Sequence, residues 1–139
     1  FADNTAHFAV PEIKLAVFPP PASLILPFKI GQAWADWMVL TGSGLGAQEA
    51  FRLGLVQHVA EPSSLDQEVD AFIVKNLLPL SPSSLRFAQR ASRWSMHERL
   101  RESLGALEDL YIRELMETPD ASEGIHSFLE KRPPVWHGT

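Results

Sequence analysis

Proline is the residue type that most limits what this chain can become. Its most apolar stretch, residues 15–30, reads LAVFPPPASLILPFKI and is broken by Pro19, Pro20, Pro21 and Pro27. Proline fixes φ, lacks an N–H and clashes with the preceding turn, so neither a helix nor a central strand is expected to absorb the run of prolines. The same breaks leave no uninterrupted apolar run of the roughly 20 residues that cross a bilayer. After the triplet, ASLILPFKIG reads as a short helix stopped by Gly31. Just before it, AVPEIKLAV sets Glu12 among Val10, Ile13 and Leu15. A carboxylate there is either a turn acid satisfied by backbone N–H groups or an acid/base group in a dry pocket. An apolar surround disfavours the charged form of a carboxyl group, which is the tuning that proton transfer at neutral pH requires.

The rest of the chain reads as mostly helical. FADNTAHFAVPE suggests a turn and a strand, with Ala6, Phe8 and Val10 alternating. GQAWADWMVLTG is a second helix with Ala33, Trp37 and Leu40 on one face and Gly42 as its stop. AQEAFRLG is a third, short helix ended by Gly54, and LVQHVA a short strand. From Ser64 onward the periodicity is helical, with Ser64 as a cap and Asp66, Gln67 and Glu68 in the first turn. SPSSLRFAQRASRW begins with Pro82 at a position proline tolerates. Leu100, Leu104, Leu107, Tyr111 and Leu115 then form an amphipathic stripe. In DASEGIHSFLEKR, Asp120 and Glu123 have capping-box spacing, and Lys131 and Arg132 fall in the last turn before Pro133 and Pro134.

Length and composition place these 139 residues in one globular domain, with 45% hydrophobic and 21% charged residues. A net charge of -5 argues against a broad nucleic-acid surface. Without cysteine there are no disulfides, zinc–thiolate sites or thiol nucleophiles, which suits a cytoplasmic location. No signal-peptide pattern opens the chain, and its first residue is Phe1 rather than Met. No membrane association is expected.

Three motifs fail on their physics. GSGLGA (42–47) has the spacing of a dinucleotide fingerprint but follows a helical segment rather than a strand, so it reads as a turn between helices. The five histidines lack i, i+4 pairing, and no metal site is expected. The serines sit in caps and turns with no G-x-S-x-G elbow.

Three segments, in order, resemble the crotonase (enoyl-CoA hydratase/isomerase) superfamily: FAVPEIKLAVFP (8–19), LTGSGLGAQEAFRLGLVQHV (40–59) and EGIHSFLEKRPPVW (123–136). The resemblance implies an α/β crotonase-like fold, of which this chain is the helix-dominated C-terminal half with two short strands. Residues 1–60 would close the crotonase core and residues 61–139 form the helical trimerisation and CoA-binding region, within one domain. In hydratases of this family the glutamate of the P-E-I/V motif is one of two catalytic carboxylates, and Glu12 holds that position. The C-terminal F-x-E-K-R stretch commonly meets a neighbouring subunit's CoA, and Phe128 and Lys131 match its aromatic and its lysine. The alternative reading of these two is a core aromatic and a helix-dipole complement. No prosthetic group is implied; coenzyme A enters as part of the thioester substrate. The partners implied are an acyl-CoA and further copies of the chain, as a trimer or hexamer.

The resemblance has departures. The oxyanion-hole donors and the second glutamate belong to a first half that finds no match here, so hydratase activity is expected to be lost without it. Ala16 and FPPPAS replace a glycine-rich continuation, as in hydratases acting on cyclic dienoyl-CoA thioesters. Two functions therefore stand: an acyl-CoA hydratase with Glu12 as acid/base, or a non-catalytic truncated relative that self-associates as a binding or assembly module.

Overall fold

The computed structural model describes residues 1–138. They form two compact units, one of residues 1–8 with 45–98 and the other of residues 9–44 with 99 onward.

The first unit is organised by two small strand pairs. β1 (Ala2–Asp3) runs parallel to β4 (Val59–Ala60), and β2 (His7–Phe8) runs antiparallel to β3 (Leu45–Gly46). The Ala2 N–H donates to the His58 carbonyl and the Asn4 N–H to that of Ala60, which extends the first pair. The two strands read from the sequence thus become four, each of two residues, because the pairing partners are too short to propagate a ladder. α3 (Ala47–Arg52) packs beside them, with Ala2, Ala50 and Val56 at the centre and Phe8, Leu55 and Val59 around it. Gly54 follows α3 in the left-handed region, as its place in the sequence suggests.

α4 (Leu65–Asn76) and α5 (Pro82–Ser92) bury none of their residues. Ser64 precedes α4 but does not cap it; its hydroxyl donates to the Glu61 carbonyl and to the Glu68 carboxylate. His58 Nε2 meets the other oxygen of Glu68. Ser64 and His58, in that order of effect, lower the Glu68 pKa. Pro82 opens α5 as expected, and Ser81 is its cap. α6 (Trp94–Asp109) carries the chain into the second unit.

In the second unit the prolines do the opposite of what their number suggests. α1 spans Pro20–Ile30, with Pro19 as N-cap and Pro20 and Pro21 in its first turn. There the missing N–H costs nothing, since the first four helical donors have no partner in any case. Pro27 sits inside the same helix, which Gly31 still ends. α2 (Gln32–Thr41) stops at Gly42, whose φ of 62° is left-handed. Its buried face is Ala35 and Met38, whereas Ala33, Trp37 and Leu40 are exposed. The two tryptophans dominate the hydrophobic pattern yet pack edge-to-face on each other.

The stripe from Leu100 to Leu115 runs along α6, a π-helical turn (Leu110–Glu114) and a 3-10 turn (Leu115–Glu117), and is half-buried throughout. α7 (Pro119–Leu129) is capped by Thr118, whose Oγ1 accepts from the Ala121 N–H, and not by Asp120. Pro119 at N1 fixes this register, so the capping box does not form.

Candidate active site

Glu12 lies in a 3-10 helix, Pro11–Leu15, that α2 and α7 both pack against. Pro11 starts it, and Ala16 ends it in the left-handed region at φ 56°. The Ala16 N–H donates to the Ile13 carbonyl and the Val17 N–H to that of Glu12. The backbone of the glutamate is therefore fixed on its C-terminal side by a tight turn. On the other side Gly42 approaches so closely that a Cβ there would lie 3.1 Å from Ile13 Cγ2.

A cleft of about 480 Å³ opens beside this turn, lined on one side by Glu12, Lys14 and Leu15 and on the other by Ser127, Phe128, Arg132 and Pro134. Glu12 Oε2 is buried and has no hydrogen-bond partner. Leaving a buried polar atom unpaired costs roughly 1–3 kcal/mol. Among the described residues it is the one such side-chain atom, and its residue lines a cleft large enough for a ligand.

Phe128 brings the two ends of the sequence together. Its side chain is 65% exposed, so it is not a core residue, and it lines the cleft of its own chain. Lys131 stands just past α7 with φ 53° and does not line the cleft. Neither Lys131 nor Arg132 is in the last turn of α7, which ends at Leu129.

The cleft residue that sequence reading missed is Arg132. Its guanidinium forms a bidentate pair with Glu123, with Nη2 2.8 Å from Oε2, and its Nε donates to Glu130. Arg132, then the Val135 N–H, hold the Glu123 carboxyl down to about 2, and Glu123 and Glu130 raise the guanidinium above its ordinary value. The following segment folds back along α7. Val135 donates its N–H to Glu123, and His137 and Gly138 donate theirs to Asp120. The acids read as a capping box thus hold the tail, and Pro134 is placed on the cleft wall. The opposite charges of Glu123 and Arg132 were the available signal, but their separation of nine residues hides it.

Comparison with known proteins shows the family. Residues 1–139 match the enoyl-CoA hydratase/isomerase family. Cyclohexa-1,5-dienecarbonyl-CoA hydratase of Thauera aromatica is 42% identical over 138 residues, covering 98% of this chain and 52% of that protein. 2,3-Dehydroadipyl-CoA hydratase of Escherichia coli K12 is 35% identical, covering 99% of this chain and 53% of that protein. An enoyl-CoA hydratase structure from Mycobacterium avium subsp. paratuberculosis superposes with a TM-score of 0.83 at 27% identity, over 96% of this chain and 54% of the other. The chain spans about half the length of the relatives it matches. With its helix-dominated crotonase fold and its match over residues 1–139, the chain belongs to the enoyl-CoA hydratase/isomerase family.

Proposed function

We propose that the polypeptide carrying these residues hydrates an unsaturated acyl-CoA thioester, with Glu12 as an acid/base group. The observation that carries this reading is that Glu12, whose buried Oε2 has no hydrogen-bond partner, lines a cleft that Phe128 also lines. A carboxylate oxygen without a protein donor is free to receive the proton of a water molecule. As that proton passes to the carboxylate, the oxygen of the water forms a bond to the β-carbon of the enoyl group. The electron pair of the double bond moves toward the thioester carbonyl, and the proton taken up by Glu12 is returned to the α-carbon, which completes the addition of one water and restores the carboxylate. The stabilising donors for the enolate and the second carboxylate belong to the part of the relatives that this chain does not span. Phe128 and Lys131 are assigned to the CoA portion of a neighbouring subunit's substrate, the ring against the adenine and the ammonium toward phosphate. The substrate class proposed is a cyclic dienoyl-CoA, supported by the 42% identity over 138 residues to the Thauera hydratase.

The chain is further proposed to act as a homo-oligomer. Trp34, Trp37, Leu40, Phe87 and Trp94 are exposed, and α4, α5 and α6 bury no residue. Surface of this kind is normally covered by a partner.

The test is loss of the conjugated thioester absorbance on incubation with the polypeptide carrying these residues. Glu12→Gln is expected to lower kcat by about 10²–10⁴-fold, the usual worth of a positioned acid/base group. An active protein that keeps its wild-type kcat after this substitution would remove Glu12 from the mechanism. Thermal stabilisation by free CoA, reduced in Phe128→Ala and Lys131→Ala, tests the binding assignment separately.

A further inference from the structure

We propose that Gly124 is a positioning residue for the cleft: it lets the backbone of α7 seat directly on the backbone of the Glu12 turn, which sets Phe128 and Arg132 opposite Glu12. The inference rests on reading the cleft as the acyl-CoA site.

A Cβ built on Gly124 would lie 2.2 Å from the Leu15 carbonyl oxygen, 2.5 Å from its carbonyl carbon and 3.1 Å from its Cα. Real Cβ atoms do not approach backbone so closely, and no rotamer change can relieve a clash between two backbones. Here the constraint is not φ, since Gly124 is an ordinary helical residue inside α7. Glycine in a helix interior costs about 1 kcal/mol relative to alanine, so the helix by itself would be better served by alanine. What glycine contributes is the close approach.

Its consequences fall on the cleft. Leu15 closes the turn that carries Glu12 and lines the cleft itself. Phe128 is one helical turn beyond Gly124 and lines the facing wall, with Arg132 and Pro134 after it. On either side of Gly124, Ala121 and Ser127 are buried, and the Ser127 hydroxyl is turned back onto the Gly124 carbonyl. No large side chain therefore keeps α7 away from the turn. Adding one methyl group at 124 moves the whole far wall relative to Glu12, and a misplacement of about 1 Å can cost on the order of 10²-fold in rate.

The experiment is Gly124→Ala in the polypeptide carrying these residues, read in two ways. With any cysteine outside these residues replaced, nitroxide labels at Ser122→Cys on α7 and Lys29→Cys at the end of α1 report the seat by electron spin resonance. The expected result is a shifted or broadened distance distribution in Gly124→Ala. Alongside it, kcat/KM is expected to fall at least about tenfold, mainly through KM, while the helical circular dichroism is retained. An unchanged distance, or a changed distance with wild-type kcat/KM, overturns the proposal. If the parent protein shows no hydration at all, the acyl-CoA reading fails on its own and the label distance still decides whether Gly124 makes the seat. If the variant does not fold, hydrogen exchange on the parent gives the answer. Amides of residues 125–129 should exchange far more slowly than those of α5, which is exposed, and equal rates would overturn the seat.

Discussion

Glu12 and Ala16, four residues apart, are both held in unfavourable states, and they should respond to substitution in different ways. Replacing Glu12 by leucine removes a buried oxygen that has no partner and fills an apolar wall. That change is expected to raise stability by about 1 kcal/mol while abolishing hydration, the opposed signs that mark a group kept for chemistry. A lower unfolding midpoint in Glu12→Leu would show that its carboxylate is structural. Ala16 at φ 56° carries left-handed strain of roughly 1–2 kcal/mol. Ala16→Gly relieves it but adds unfolded-chain entropy worth about 0.4–1 kcal/mol, so a rise of only a few degrees in Tm is expected. Gly42→Ala shows the converse: left-handed φ and a Cβ 3.1 Å from Lys14 Cε combine to destabilise, which chemical denaturation would measure. Glu12 was legible as a candidate because a charged residue amid Val10, Ile13 and Leu15 is locally anomalous. Its missing hydrogen-bond partner was not, because that depends on atoms distant in sequence.

Among the elements, the glycines that stop helices were legible in the sequence, whereas the caps were not: neither Ser64 nor Asp120 caps its helix. Gly31, Gly42 and Gly54 stop helices in the structure because each takes a conformation costly for other residues. The face of α2 was misread because tryptophan dominates any hydrophobic count, whereas the residues that fit inside are Ala35 and Met38. α1 shows the limit of a residue-type rule: proline breaks helix interiors but suits first turns, so Pro20 and Pro21 start the helix they seemed to forbid. The π-helical turn at Leu110–Glu114 has no sequence signal; there Tyr111 packs edge-to-face on Phe18. At α7, Thr118→Ala is expected to cost about 1 kcal/mol, since one N-terminal donor loses its acceptor. The Glu123–Arg132 pair sets the acid response of the same element. Glu123 titrates at about 2 in the folded chain, against 4.5 for the free group, chiefly because Arg132 donates to it. A depressed carboxyl contributes fully above pH 4.5 and loses its contribution as pH falls toward 2. Arg132→Gln should therefore flatten the acid limb of a stability–pH profile over that window, and an unaltered limb would remove the pair from acid unfolding.

For the whole molecule, family membership and the fold followed from three ordered motifs, while the site required the chain to be folded. Glu12 and Phe128 are separated by most of the sequence, and no periodicity joins them; the cleft does. Exposed apolar side chains on both units lead to one hydrodynamic expectation. Sedimentation velocity on the polypeptide carrying these residues should give a species heavier than its own monomer, and replacing Trp37 and Leu40 by glutamate should lower that mass if α2 lies in the contact. The returning tail adds a different kind of consequence. Asp120 and Glu123 grip it through the N–H groups of Val135, His137 and Gly138, and these donors exist in every residue except proline. The tail is thus recognised without regard to its letters. In a saturation library, positions 135 and 137 should accept nearly any substitution but proline, position 138 should favour glycine because its φ is 72°, and 120 and 123 should accept almost none. Variation at 135 and 137 would then carry little information about what they do, although the wall they complete depends on them.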